Sequence, residues 1–215
     1  MAIQFKEEGH LYESIDDANI TWLSVTSFIG KFKPKFDRDG QAIKSAKNKR
    51  SKWYGMTPKE IIAAWDGETK RAIDLGNFYH NQREDDMLGL NTIGRHGVEV
   101  PIIKPIVSDK GFTNWEGITN KMFRPLNHLD DCNLNHYNLQ LSIYAYIIKK
   151  HNPKLKIGKL TIQHVKFKQV GEDKFGYPIN EHVNGEPVLE NIKIYELPYL
   201  KDEVNSLMMW LKDKK

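Results

Sequence analysis

Two short stretches, "GNFYHNQRE" (Gly76–Glu84) and "QLSIY" (Gln140–Tyr144), decide how this chain is read. In each, residues recur at intervals of four, a spacing that stacks side chains one above another on a helix. Gly76, His80 and Glu84 share one face on that reading, and Gln140 and Tyr144 share a face of a second helix. A histidine and a glutamate one turn apart offer a phosphate or metal site. The same histidine on a half-buried helix is more often a satisfied structural residue, and Gln140 and Tyr144 fit packing and hydrogen bonding equally well.

Outward from these stretches, pattern and punctuation predict an alternation of helices and strands. "IQFKEEGHLYE" and "ITWLSVTSF" alternate as short strands or extended segments. "KFKPKFDRDG" breaks the chain at Pro34 and turns at Asp39–Gly40, before a helix over about Gln41 to Lys52. Thr57, Pro58 and Glu60 read as a capping box. A further helical stretch over about Glu68 to Leu88 contains Gly76, a residue that suits close packing or a bend. "GVEVPIIKPIVS", the turn "DKG" and "FTNWEGIT" predict a hairpin over Gly97–Thr119. "NLNHYNLQLSIYAYIIKKHN" predicts an amphipathic helix with Tyr137, Leu141, Tyr144 and Ile148 on its apolar stripe, ending at Asn152–Pro153. Two more strands flank the turn-rich "GEDKFGYPIN", and "YLKDEVNSLMMWLKDKK" closes the chain as a helix. The expected class is α/β (α+β), with one small mixed sheet flanked by helices.

Composition bounds the functions. The chain has 215 residues, 40% hydrophobic, 11% aromatic and 28% charged, enough for a real core in one domain. Mean hydropathy is -0.59, and no apolar run reaches the roughly 18 residues that would suggest a membrane-spanning helix. "MAIQFKEEGHLYE" lacks the basic-then-apolar pattern of a secretory signal. Cys132 is the only cysteine, so an intrachain disulfide and any four-cysteine cluster are excluded, and a reducing compartment is expected. Net charge is +4. Its distribution says more: Lys31, Lys33, Lys35, Lys44, Lys47, Lys49, Arg50 and Lys52 are interleaved with Phe32, Phe36 and Trp53. That block suits nucleic-acid or partner binding, and suits a solvated surface as well. His128, Cys132 and His136, with Asp131, have a zinc-like spacing but only one thiol.

A helix with G-x3-H-x3-E followed by strands and a helix with Q-x3-Y resembles the RecB-like branch of the PD-(D/E)XK nucleases. The flanks "HLYESIDDANITWLSVTSFIGKFKPKFD" and "LNHLDDCNLNHYNLQLSIYAYII" are similar to stretches of such proteins encoded by tailed phages, over about Gly9 to Val170. The resemblance implies a restriction-endonuclease-like core over 57–170, a basic arm over 1–56, and a hairpin plus helix over 171–215. It implies that the helix glutamate and a strand aspartate hold Mg²⁺, that a D/E-x-K acid and lysine complete the site, and that Q-x3-Y positions DNA. Hydrolysing a phosphodiester needs a hard cation on carboxylate oxygens to offset developing charge.

Against that pattern the middle of this chain departs. Thr119-Asn120-Lys121 keeps the family's T-N-K, which puts Glu116-Gly117-Ile118 on the D/E-x-K triplet and an isoleucine on the lysine. "PIIKPIV" falls where the metal-binding aspartate belongs, with Lys104 in or beside its place. An ammonium there repels Mg²⁺. The other D/E-x-K triplets, Glu68–Lys70, Glu172–Lys174 and Asp213–Lys215, fall outside the hairpin between the two motif helices. The resemblance therefore implies vestigial His80, Glu84, Glu116, Lys121, Gln140 and Tyr144, with no catalytic residue, cofactor or metal expected. The role expected is a structural or assembly component of a phage virion, such as a homo-oligomeric portal–tail connector ring, or a DNA-binding accessory. Its partners would be portal or tail proteins and possibly DNA, without membrane insertion, in the virion or host cytoplasm. The alternative is an active Mg²⁺-dependent DNA exonuclease of recombination or replication. There Glu84 and Glu116 hold the metal and Lys121 or Lys104 serves as a displaced lysine. A third reading is an inhibitor mimicking a host nuclease subunit.

Overall fold

The computed structural model describes residues 3–6, 11–17, 23–87, 108–114 and 116–213, with the backbone alone at 3, 5–6, 11–14 and 82–87. In chain order the elements are β1 (Ile3–Lys6), β2 (Leu11–Ser14), α1 (Val25–Gly30), α2 (Arg38–Lys47), α3 (Pro58–Met87), α4 (Asn133–His151), β3 (Leu160–Phe167), β4 (Gln169–Glu172), β5 (Pro178–Asn180), β6 (His182–Val183), β7 (Glu186–Pro187), β8 (Leu189–Leu197) and α5 (Lys201–Asp213). The class is α+β. Among the described residues, the strands form four separate two-stranded sheets rather than one mixed sheet. Three of them are antiparallel, β1–β2, β4–β5 and β6–β7, joined across short connections that antiparallel pairing allows. The fourth pairs β3 with β8.

The chain divides into two compact units: Met1–Pro34, Ile102–His164 and Ile194–Lys215 form the first, Lys35–Pro101 and Val165–Lys193 the second. The division falls within both β3 and β8.

In the first unit, Ser24 caps α1 by accepting from the Ser27 amide at 3.1 Å. That cap corrects the strand expected over "ITWLSVTSF", of which 20–22 lie outside the described residues. Helical rather than alternating geometry lets Phe28, Ile29 and Phe32 enter one core with Leu139, Ile143, Val204 and Leu207. Phe32 meets the Trp210 ring edge-on at 4.9 Å. Each such side chain contributes about 1.5–3 kcal/mol on full burial. The buried face of α4 carries Asn138, Leu139, Ser142 and Ile143. The stripe expected to be buried is outward, with Tyr137, Tyr144 and Ile148 at 45%, 41% and 56% exposure. α4 is apolar on two sides, and packing against α1 and α5 selects the other one. The Ser142 hydroxyl accepts from the Leu200 amide at 3.1 Å, fixing where α5 begins.

In the second unit, the Asp37 carboxylate accepts from the Gly40 amide at 3.0 Å and starts α2, so Asp39 and Gly40 lie inside its first turn rather than in a loop. α2 accordingly ends at Lys47, earlier than expected, and turns carry the chain to Thr57. The capping box forms: Glu60 accepts from the Thr57 amide at 2.8 Å, and Thr57 Oγ1 from the Glu60 amide at 3.3 Å. From there α3 runs 30 residues without a break at Gly67, joining two helical stretches that the sequence suggested separately. Arg38 staples α2 to α3 by donating to the Ile62 carbonyl at 3.1 Å and to Asp66. The core gathers Ala42, Trp53, Ile61 and Ala64, with Phe175 and Tyr177 from the β4–β5 connection packed on it. That connection is the expected turn: Asp173 Oδ1 accepts from the amides of Phe175 and Tyr177 at 2.8 and 2.9 Å. Asn184 and Gly185, at φ 55° and 83°, make the tight turn between β6 and β7.

Candidate functional site

The two motif helices are α3, in the second unit, and α4, in the first. On α3, His80 is exposed. Among the described residues nothing lies within 4 Å of where a Gly76 Cβ would stand, so none of them demands glycine there. Glu84 belongs to α3 by its backbone, and its side chain lies outside the described residues. On α4, the Gln140 amide donates to the Tyr144 hydroxyl at 3.0 Å. The two residues expected to position DNA are thus bonded to each other along one helix face.

The segment aligned with the D/E-x-K triplet is built by Asn114. Its side-chain oxygen accepts from the Glu116 and Ile118 amides at 3.0 and 2.9 Å. Its carbonyl accepts from Gly117 at 3.1 Å, and its own amide donates to the Ile118 carbonyl at 2.9 Å. Gly117 sits at φ 80°, a left-handed conformation that glycine adopts freely. The triplet is therefore a turn, closed below by the Thr113–Thr119 bridge and by Asn120 donating to Phe112 at 2.8 Å. This corrects the strand expected over "FTNWEGIT". On a strand, residues two apart point to the same side and can share one site; through this turn Glu116 and Ile118 are not held in that register. Asn at the first and Gly at the fourth position of a turn is a local signature, so "NWEG" carried the signal in the sequence. The partner strand of the expected hairpin, with Lys104 in "PIIKPIV", lies outside the described residues, as does Trp115.

Lys121, the last residue of the T-N-K run, is paired with Asp130. That ammonium, and then the Gly111 amide donating at 3.1 Å, hold the Asp130 carboxyl below its usual range. Sequence reading missed Asp130, which takes up the one amino group adjacent to the triplet.

The zinc-like constellation is distributed among other partners. His128 Nε2 lies 3.0 Å from Glu203, and His136 Nε2 lies 2.8 Å from Asp131. Burial first, then the nearby Lys33, pushes the His136 imidazole below its ordinary value against the pull of Asp131. Cys132 is buried, and that burial raises its thiol. Among the described residues, no group of three or more His, Cys, Asp or Glu side chains is arranged to hold a metal ion. Mg²⁺ in the family's manner does not fit the triplet turn: Glu116 is exposed and Ile118 has no donor atom.

The basic segment is shared between units. Lys31 and Lys33 follow α1 in the first, and Lys35, Lys44, Lys47, Lys49, Arg50 and Lys52 belong to the second. All are exposed. Lys52 is nonetheless engaged: its ammonium donates to the Phe175 carbonyl at 2.7 Å and lies 4.7 and 4.4 Å from the Trp53 and Tyr177 ring centroids. Also in the second unit, a cavity of about 770 Å³ lies between mid-α3 and the β4–β7 hairpins. Its Arg71 is spoken for, bonded to both Glu68 oxygens at 2.7 and 2.5 Å and to Asn180 at 2.7 Å. Lys70 pairs with Asp74 at 3.0 Å, so the Glu68–Lys70 triplet consists of side chains used within α3 and its neighbours.

Comparison with family models, with curated proteins and with solved structures returned no match.

Proposed function

We propose that this chain is a catalytically inactive member of the RecB-like nuclease group, encoded by a tailed phage and kept for binding rather than cutting. Its role on this reading is a structural or assembly part of the particle, such as a ring at the portal–tail junction, or a DNA-binding accessory. The observation that carries it is the Asn114–Ile118 turn. Phosphodiester hydrolysis on this plan needs an acid and a lysine side by side on a strand, aimed at one water and one metal. Here the acid is exposed on a turn, the lysine position holds isoleucine, and the neighbouring Lys121 is paired with Asp130. The Gln140–Tyr144 bond is consistent with this reading, because each side chain has a partner on its own helix.

The test incubates the protein with linear single- and double-stranded DNA in Mg²⁺ and in Mn²⁺. Intact DNA at high protein concentration is the expected result. Degradation that disappears in Glu84→Ala or Glu116→Ala would establish the exonuclease instead. Mass spectrometry of purified particles then separates the two binding roles, since a connector component must be present in them and an accessory must not.

A further inference from the structure

The first unit carries a second basic cluster, built from residues far apart in sequence. Lys149 and Lys150 end α4, Lys154 and Lys156 follow the Asn152–Pro153 break, and Lys201 opens α5. All five are exposed and line one open groove of about 740 Å³, and among the described residues no carboxylate lines it. None has a carboxylate partner among the described residues. The helix dipole accounts for Lys149 and Lys150, because cations suit a helix C-terminus. It does not account for Lys154 and Lys156, which lie beyond the helix, and it disfavours Lys201 at a helix N-terminus. Like charges gathered without counter-charge indicate a surface matched to an anion supplied from outside.

Two half-buried phenols, Tyr146 and Tyr199, share the groove with the lysines. Burial first, and then Tyr146, raises the Tyr199 hydroxyl. Pro153, Leu155 and Ile157 add apolar surface. Flat rings set among ammonium groups suit a chain that alternates anionic links with stackable bases. A duplex hides its base faces, and an acidic peptide would use the lysines and leave the rings idle.

We infer that the groove formed by the end of α4, the Pro153–Ile157 segment and the start of α5 binds single-stranded nucleic acid, with the lysines on phosphates and Tyr146 and Tyr199 against bases. This goes beyond the inactive-nuclease reading and does not depend on it: cleavage in Mg²⁺ would refute that reading and leave the groove untouched.

The test is fluorescence anisotropy with a labelled oligothymidine of about 20 nucleotides, in EDTA at about 50 mM salt. Five lysine–phosphate contacts predict that log K falls with log salt with a slope of about -3 to -4. Lys149→Glu/Lys150→Glu/Lys154→Glu is expected to bind at least about tenfold more weakly, with a slope shallower by about 2. Because charge reversal at a helix end can disturb folding, Lys154→Gln/Lys156→Gln/Lys201→Gln is run beside it and is expected to lose the same slope. Lys59→Glu/Lys168→Glu/Lys174→Glu, an equal change in net charge at exposed lysines of the other unit outside the 31–52 block, is expected to stay within about twofold of the parent. The inference is overturned by parental affinity in the glutamine variant, by an equal loss in the second-unit variant, or by equal or tighter binding of duplex DNA or of polyglutamate of matched charge.

Discussion

Lys52 in the second unit and the groove lysines of the first are the same residue type beside the same kind of ring, put to opposite uses. Lys52 is closed in: a carbonyl accepts its proton and two aromatic faces flank its charge. The groove lysines have rings nearby, but neither carbonyl nor carboxylate takes their charge among the described residues. A lysine whose charge is answered inside its own unit contributes to stability. One left unanswered beside others contributes to recognition. Density of lysines along the chain does not separate the two cases, since the 31–52 block and "KKHNPKLK" over 149–156 look alike as sequence.

The largest effect that can break this comparison is at Trp53, which is 7% exposed and serves both the core and the Lys52 contact. Trp53→Ala is expected to cost about 3–5 kcal/mol in urea denaturation, while oligonucleotide affinity measured below the transition stays unchanged. Weakened affinity without lost stability would mean that the Lys52 cluster is itself a binding surface. A smaller loss is expected from Lys52→Met, about 0.5–1 kcal/mol for an exposed cation over aromatic faces. No measurable stability change there would dissolve the distinction between closed and open lysines.

His136 sharpens the picture of the first unit. Its folded form resists protonation because of burial and of Lys33, so its value is below the ordinary 6.5. Below that ordinary value the unfolded chain takes up a proton that the folded chain refuses, and stability falls as pH drops. Thermal melts between about pH 7.5 and about pH 5.5 should show a steeper decline for the parent than for His136→Gln. Parallel declines would remove His136 from the account.

What the sequence made legible was local. The Thr57–Glu60 capping box, the extent of α4 to His151, the Asp173 turn and the closing α5 each rest on residues within a few positions of one another. What it hid depends on distant partners. α4 has two apolar sides, and only α1 and α5 decide which is inward. The Ser24 cap was masked by an alternating run that equally suits a strand. The helix start at Thr57 and the stretch from about Glu68 read as two elements, but they form one helix with α2 bonded alongside at Arg38. Of the candidate site, the departure at Ile118 was legible as a residue type, whereas the turn beneath it required weighting Asn114 and Gly117 above the neighbouring "DKG". The five-lysine groove was not legible at all, because Lys201 reaches it only through the packing of α5 on α4.

The most direct measurement restores the missing residue. Ile118→Lys supplies the family's lysine while leaving the Asn114 turn in place, and its activity on linear DNA in Mg²⁺ and Mn²⁺ is compared with that of the parent. The account predicts intact DNA for both proteins, because the turn keeps Glu116 and residue 118 out of strand register. Metal-dependent cleavage gained by Ile118→Lys would contradict it.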